Sequence, residues 1–518
     1  MEYGILSLLP PILAIVIAIV TRQTILSLFI GVWLGSTIIS SWNPFVGFTY
    51  SITDVVIPSI ADPWNAGLLL LVTLAGGFVN ILRVTGGARA FAEVATKKVN
   101  TRKKAQNFVW GSSFLFSYTE PVLILGTVTR PITDKVKVSR VKLAYILDSM
   151  GSPLAAMSPI SSYGPFITGL IATQLTVLGL SDNPWSLFIQ MIPYNLYGLF
   201  AMIGVLFVVN LNLDIGPMYK AEMRAMETGE LYGKDDKLMI DESVEEEMMV
   251  SNTKADIFSF LIPMVLLMGT IFTVIFWTGN IGENGFRGAF LNSNIVLSII
   301  CGFIAGAVGG IVYAKLRYRT SLIYLFDELT NGILKLMIVP LILVMAWSIG
   351  SIASTMGLGT YITELVGNYL PAFLVPLVIF IIGALIAFAT GSSWGVFAIM
   401  IPIAVPMAAS MDINLALAIG AVISGGLFGD HCSPISDTTI MSSTGAAADH
   451  IEHVRTQLPY ALVIATASGI GFLSAGLTQN VFVGLIVTAI VLLVALYLLN
   501  RRVKRRDSNV LINKEVIS

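Results

Sequence analysis

Charge is what this chain has least of. Asp, Glu, Lys and Arg make up 12% of its 518 residues, hydrophobic residues make up 55%, and mean hydropathy is +0.83. Soluble domains carry roughly a quarter charged residues, so a soluble fold is excluded. Cysteine is nearly absent as well. Cys301 and Cys432 lie in apolar segments, match no metal spacing and imply no disulfide framework. No GxxxxGK[ST] run is present, which argues against an ATP-driven pump. No catalytic motif and no sizeable soluble stretch suggests an enzyme. A net charge of −1 gives no footprint for nucleic acid.

What is abundant is apolar sequence in repeated runs of about 20 residues, the length needed to cross a bilayer as a helix. The chain therefore reads as an all-α polytopic membrane protein. The first run, 5–20, lacks a basic leader and a cleavage site and is read as a membrane helix. Helices are expected near 4–21, 24–41 and 66–83, with a polar-aromatic loop over 42–65 between the second and third. A basic amphipathic stretch at 89–104 precedes an apolar hairpin, 105–130, whose tip is SYTEP (117–121). A broken helix follows at 142–178, interrupted by SPISSYG (158–164), and then a helix at 185–212.

The second half repeats the first. LSLFIGVWLG (26–35) resembles LSIICGFIAG (297–306), and SPIS at 158–161 recurs at 433–436. Boundaries follow: a first repeat at 1–215, a charged linker at 216–255, a second repeat at 256–478, an extra helix at 479–500 and a basic tail at 501–518. The linker reads as a solvated connector, since charge-rich sequence buries little apolar area. Five crossings per half, an odd number, insert the second half upside down. Placing the N-terminus outside and the C-terminus in the cytoplasm puts every Lys and Arg except Arg287 on the cytoplasmic side. The fold expected is thus two inverted five-helix repeats, each with a re-entrant hairpin and a broken helix, plus one C-terminal helix.

Polar residues concentrate where this apolar chain tolerates them least, from Ser424 to Gly445: SGGLFGDHCSPISDTTIMSSTG. Pro434 and several glycines forbid a clean helix there. Irregular backbone and ionisable groups at membrane depth survive only around a cavity or a functional site. Inverted repeats with broken helices place such a site at the midplane. Four irregular pieces are expected to converge: the SYTEP tip, SPISSYG, the TGSSWG tip (390–395) and SPISDTT (433–439).

Their residue types suit a hard cation such as Na⁺, which takes oxygen ligands. Ser433, Ser436, Thr438 and Thr439 offer hydroxyls, Asp437 a carboxylate, and the SPIS break free carbonyls. The metal-ligating set is Asp437, Ser433, Ser436 and Thr438. Ser158, Ser161, Ser162, Ser392, Ser393 and Thr119 are the matching oxygens elsewhere. Buried carboxylates also favour protons. Asp430 and Asp437 in the second half and Glu120 and Asp148 in the first are candidates, with Asp148 alternatively pairing with Lys142 or Arg140. Glu120 alternatively caps a half-helix. His431 is a proton relay or a structural partner of Asp430. His450 and His453 read as surface residues at a cytoplasmic helix end or, alternatively, as pH sensors. No bound cofactor is implied; Na⁺ is the transported or coupling ion.

GDHCSPISDTT, with TEP and SPISS earlier, resembles the NhaC-type sodium/proton antiporter family of the wider ion-transporter superfamily. The resemblance spans most of the chain outside the linker and tail. It implies inverted repeats, re-entrant hairpins, homodimers with scaffold and transport domains, and an elevator-like motion in the cell membrane. It carries over onto Asp430, His431, Ser433, Pro434, Ser436, Asp437 and Thr438, and onto Thr119, Glu120, Ser158 and Ser161. Similar proteins exchange malate for lactate or carry amino acids. Dicarboxylate relatives carry Ser-Asn-Thr at their tips, where this chain has an acidic Ser-Tyr-Thr-Glu-Pro. That tip suits a cation or an amine better than a dianion. Na⁺/H⁺ exchange is the expected activity; coupled transport of a small organic solute, an amino acid or a carboxylate, is the alternative.

Overall fold

The computed structural model describes residues 3–21, 23–87, 90, 99–116, 121–159, 161, 163–239, 256–283, 285, 289, 293–335, 337–358, 361, 370–434 and 436–517. The described chain is helical. The first half contains α1 (Leu9–Thr21), α2 (Thr24–Ile39), α3 (Pro44–Ala61), α4 (Pro63–Val84), α5 (Arg102–Phe116), α6 (Pro121–Lys135), α7 (Arg140–Met157), α8 (Tyr163–Val177), α9 (Pro184–Met191) and α10 (Leu196–Leu211). A linker helix, α11 (Gly216–Glu227), comes next. The second half contains α12 (Phe258–Thr278), α13 (Ile295–Tyr318), α14 (Leu322–Lys335), α15 (Ile338–Thr355), α16 (Val375–Thr390), α17 (Ser393–Ser410), α18 (Leu415–Cys432), α19 (Asp437–Ala446) and α20 (His450–Thr478), and α21 (Val481–Ile517) closes the chain. Among the described residues ten helices are long and apolar enough to cross a membrane. The count is eleven if the pair Pro184–Tyr194 and Leu196–Leu211, bent by 49°, forms one span.

Helix bounds recur between the halves. α7 and α18 are related by the same shift at both ends, 140 to 415 and 157 to 432. Each ends at a serine in extended conformation, Ser158 and Ser433. Each is followed by a proline, which lacks the N–H that would continue the ladder. The halves also interlock. α6, the returning arm of the first hairpin, packs on α19 of the second half, while α17, its counterpart, packs on α8 of the first. The α6–α19 approach is backbone on backbone: a Cβ added at Gly126 would stand 2.6 Å from the Gly445 carbonyl carbon. Only glycine fits at that crossing.

The structure corrects three expectations. Residues 42–65 are not a loop. Asn43 caps α3 by accepting from the N–H groups of Phe45 and Val46, and Asp62 caps α4 by accepting from Asn65. Pro44 and Pro63 occupy first-turn positions, where proline favours helix. The Asn-Pro and Asp-Pro pairs are helix starts here. Second, the linker's first part is docked. Met218, Ala221 and Ala225 form a buried stripe on α11, and Met239 donates its N–H to the Ala448 carbonyl. Residues 240–255 lie outside the described residues. Third, α21 runs on as helix through the basic run at 501–506, which the sequence suggests is a tail.

Candidate functional site

The two helix breaks set the geometry. In the first, the Ser161 hydroxyl accepts from the N–H groups of Tyr163 (3.1 Å) and Gly164 (3.3 Å) and donates to the Ala155 carbonyl (2.6 Å). It closes one half-helix and opens the next. In the second, Ser436 caps α19 by accepting from the Thr439 N–H (3.3 Å) and meets the Thr438 hydroxyl at 3.0 Å. Ser433 donates to the Phe388 carbonyl of α16 (2.9 Å). These serines thus serve the backbone, which leaves less oxygen for a cation than a plain count of hydroxyls suggests. The Pro434 carbonyl, expected to be free, lies 2.7 Å from His450 Nε2. Ser158 is half-buried at the end of α7.

At the second break lies a buried polar network joining the halves. Asp148 of α7 is 2% exposed. Its Oδ2 accepts from the Thr439 hydroxyl (3.1 Å) at the start of α19 and from Gln457 Nε2 (2.6 Å) on α20. Gln457 Nε2 also donates to the His431 carbonyl (2.6 Å) at the end of α18. His431 Nε2 stands 3.8 Å from Asp148 Oδ2 and 3.3 Å from the Ser149 hydroxyl. On its other side, His431 Nδ1 meets the Tyr197 hydroxyl of α10 at 2.6 Å. Asp430 is buried one residue earlier.

The second hairpin tip docks on the first half. Ser392 caps α17 through the Gly395 N–H at 3.4 Å. The hydroxyls of Ser393 and Tyr163 are 3.2 Å apart. The Trp394 ring lies 4.1 Å from that of Tyr163 and 4.6 Å from that of Phe166, centroid to centroid. Trp394 is a wall between tip and half-helix. Thr119, Glu120 and Ser162 lie outside the described residues, and so does the side chain of Asp437, whose backbone starts α19.

A second charged layer sits at the end where α11 docks. Lys142, 1% exposed, pairs with Asp214, with the rings of Tyr145 and Tyr460 at 5.6 and 5.7 Å. Arg140 pairs with Asp134 at 3.4 Å. Asp148 therefore pairs with neither Lys142 nor Arg140. One turn and more of helix separates them, and both cations are taken by nearer carboxylates. Glu222 of α11 pairs with Arg102 and accepts from the Ser139 N–H at 2.8 Å. Burial, then the neighbouring Asp214, holds its carboxyl above the ordinary value of 4.5, against the pull of Lys142 and Arg102.

Two histidine readings change. His453, expected on the surface, is fully buried between Ser443 and Gln457, while His450 is half-buried. The sequence IEHVRTQ looks amphipathic and solvated, but α20 passes beneath the second break and buries the face carrying His453 and Gln457. Gln457 and Tyr197 carry no charge and lie far in sequence from the motif they complete. The i, i+4 spacing of His453 and Gln457 was the available signal.

Paired broken helices crossing between two halves, with buried polar groups meeting at the breaks, define a secondary transporter rather than an enzyme. A family model described as the Na⁺/H⁺ antiporter family matches residues 154–477. The chain belongs to that family. A Haemophilus influenzae protein of uncharacterised activity is 35% identical, the match covering 96% of this chain and 95% of that one. An uncharacterised Na⁺/H⁺ antiporter from the same organism is 39% identical over 16% of this chain and 19% of its own. Among solved structures, Neisseria gonorrhoeae MtrF, which illuminates a class of antimetabolite efflux pumps, superposes with a TM-score of 0.50 at 15% identity over 84% of each chain. That likeness concerns the fold.

Proposed function

We propose that this protein exchanges Na⁺ for H⁺ across the cell membrane. The observation that carries the reading is Asp148. A buried carboxylate from the first half is bonded to a hydroxyl and an amide of the second half, beside the second helix break. In this reading Asp148 and Asp437, with the Thr438 hydroxyl, take Na⁺ in one step and protons in the other. Competition for the same carboxylates then couples the two ions without separate sites. A protonated Asp148 no longer requires both donors. Thr439 and Gln457 are thereby free to reorient as the half-helices move.

Thr119, Glu120, Ser158, Ser162, Ser393 and Asp430 line the same pathway in this proposal, and His431, held by Tyr197 and Ser149, orients Asp148. The two halves are inverted, the hairpins re-entrant and the motion elevator-like, with the N-terminus outside and the C-terminus cytoplasmic. The assembly is a homodimer. Dense packing around Asp148 favours a bare ion over an organic cargo. The test is transport by the purified full-length protein in proteoliposomes. Radioactive sodium uptake is measured against an imposed pH gradient, with Li⁺, K⁺, malate, lactate and a panel of amino acids as competitors. Sodium uptake driven by outward protons, unaffected by the organic solutes, is the expected result. Uptake that requires an organic solute replaces antiport with coupled solute transport.

A further inference from the structure

The linker builds a cleft of its own against the start of α20. Its volume is about 360 Å³, within the roughly 300–1,000 Å³ of small-ligand sites. Two anchors hold its walls. On one side the Arg140 N–H donates to the Leu231 carbonyl (3.1 Å), and the guanidinium lies 4.9 Å from the Tyr232 ring centre. On the other the Lys237 N–H donates to Asp449 Oδ2 (2.8 Å), the cap of α20. Between these anchors residues 233–236 close a turn. The Asp236 N–H donates to the Gly233 carbonyl (3.1 Å), and the Gly233 N–H donates to Asp236 Oδ2 (2.6 Å). Lys234 and Asp235 stand exposed at its tip. α11 supplies Lys220 and Arg224, spaced i and i+4 on one face, and α20 supplies Glu452 and Arg455.

The cleft gathers cations that its own carboxylates do not neutralise. Asp236 is committed to the Gly233 N–H, and Glu452 pairs with Arg455 at 3.3 Å while also facing the charge of Arg224. Among the described residues Lys220, Arg224 and Lys234 form no ion pair, and neither does Asp235. Those three cations less that one carboxylate leave about two positive charges in the cleft. Arg224 Nε reaches the Glu230 carbonyl at 3.4 Å, and its Nη2 is buried without an acceptor. A buried donor left unpaired is costly, and a guanidinium fork matches carboxylate or phosphate oxygens. Like charges on anchored walls also repel. An anion seated against Arg224 removes the repulsion and supplies acceptors to the fork.

We infer that this cleft binds a small anion carrying a phosphate group. Three cations reach it from two separate pieces of chain, Lys220 and Arg224 from α11 and Lys234 from the turn. A planar carboxylate has two oxygens and serves one fork. A phosphate monoester has three acceptor oxygens and about −1.5 to −2 of charge at pH 7, which matches both the number of donors and the unpaired charge. The bound anion bridges the linker to α20, the helix whose Gln457 holds Asp148. The site stands on these contacts and not on the exchange proposed above. A soluble phosphorylated metabolite and a phospholipid headgroup share this chemistry.

The test is titration calorimetry of the full-length protein in a phosphate-free maltoside detergent and buffer, with glycerol 3-phosphate as the probe. Saturable binding of one probe per chain, weakened by added salt, is the expected result. Arg224→Gln is expected to weaken binding about tenfold or more. Lys234→Gln, at the exposed tip of the turn, is expected to weaken it about two- to threefold, and it keeps the test open if the Arg224 variant does not fold. Asp235→Asn removes the uncommitted carboxylate and is expected to tighten binding by a similar factor, which a merely structural role for these residues does not give. Melting followed by intrinsic fluorescence checks that each variant is folded. Displacement of the probe by micellar phosphatidylglycerol identifies a lipid headgroup as the occupant; displacement by soluble phosphate esters alone identifies a metabolite, and either result supports the site. No saturable binding, equal displacement by acetate, or unchanged affinity in folded Arg224→Gln or in Lys234→Gln overturns it.

Discussion

Replacing Asp148 by asparagine tests the central carboxylate with little change of shape. The side chain is 2% exposed and its Oδ2 accepts from Thr439 and from Gln457. Hydrogen bonds to a charged group contribute about 1.5–3 kcal/mol each, those to a neutral group about 0.5–1.5. Two such bonds weakened together cost about 2–3 kcal/mol. Burying the charge opposes this by several kcal/mol in the wild type, and the asparagine escapes that penalty. Asp148→Asn is therefore expected to fold, with stability lowered by no more than about 1 kcal/mol. Asp148→Ala differs: both donors stay buried without their acceptor, at about 1–3 kcal/mol each. Thermal unfolding in detergent, followed by intrinsic fluorescence, separates the two variants. Flux in proteoliposomes then reads function. Losing about 3 kcal/mol of cation binding lowers exchange more than a hundredfold. Asp148→Asn is expected to show that loss while melting like the wild type. Normal sodium-driven proton exchange in that variant, with an unaltered pH profile, refutes the assignment.

Two further outcomes follow from the same contacts. Ser161→Ala removes a helix cap and is expected to lower stability by about 1 kcal/mol, with less than about a twofold change in apparent sodium affinity; a large affinity loss on flux measurement makes the hydroxyl a cation ligand. Glu222 has a carboxyl raised above 4.5 by burial, so the folded state holds its proton to higher pH than the unfolded chain does. Its contribution is fully present below 4.5 and is lost as pH rises through the raised folded value, and Glu222→Gln is expected to flatten that stretch of the melting-temperature profile.

The helix breaks were legible because their cause is local. Proline after serine at 158–159 and 433–434 removes a backbone donor wherever the rest of the chain lies, and the preceding helices end at Ser158 and Ser433. At 42–65 the polar-aromatic composition suggested a loop, but Asn43 and Asp62 cap helices that start at Pro44 and Pro63. The hydroxyls divide by a criterion sequence does not contain. A serine that caps and a serine that binds a cation look alike, and Ser161 and Ser436 become caps only because particular N–H groups lie within reach.

The densest polar sequence, Ser424 to Gly445, is half of a site whose other half is sparse. Asp148 stands among apolar neighbours in α7, and nothing around it in sequence marks it above Asp430 or Asp437. Its importance comes from interlocking. α6 and α7 of the first half hold α19 of the second, at a crossing close enough that Gly126 and Gly445 touch backbones, and this brings Thr439 onto Asp148. A carboxylate held by the opposite half reports the relative position of the two halves. In the proposed exchange, any motion that parts Asp148 from the second half must break its bonds to Thr439 and Gln457, and a bound proton or cation would lower the cost of breaking them. An unloaded, ionised Asp148 is the form most tightly tied to the opposite half. In the proposed exchange, the contacts that bury the charge would therefore oppose movement without cargo, which would keep the exchanger from leaking either ion.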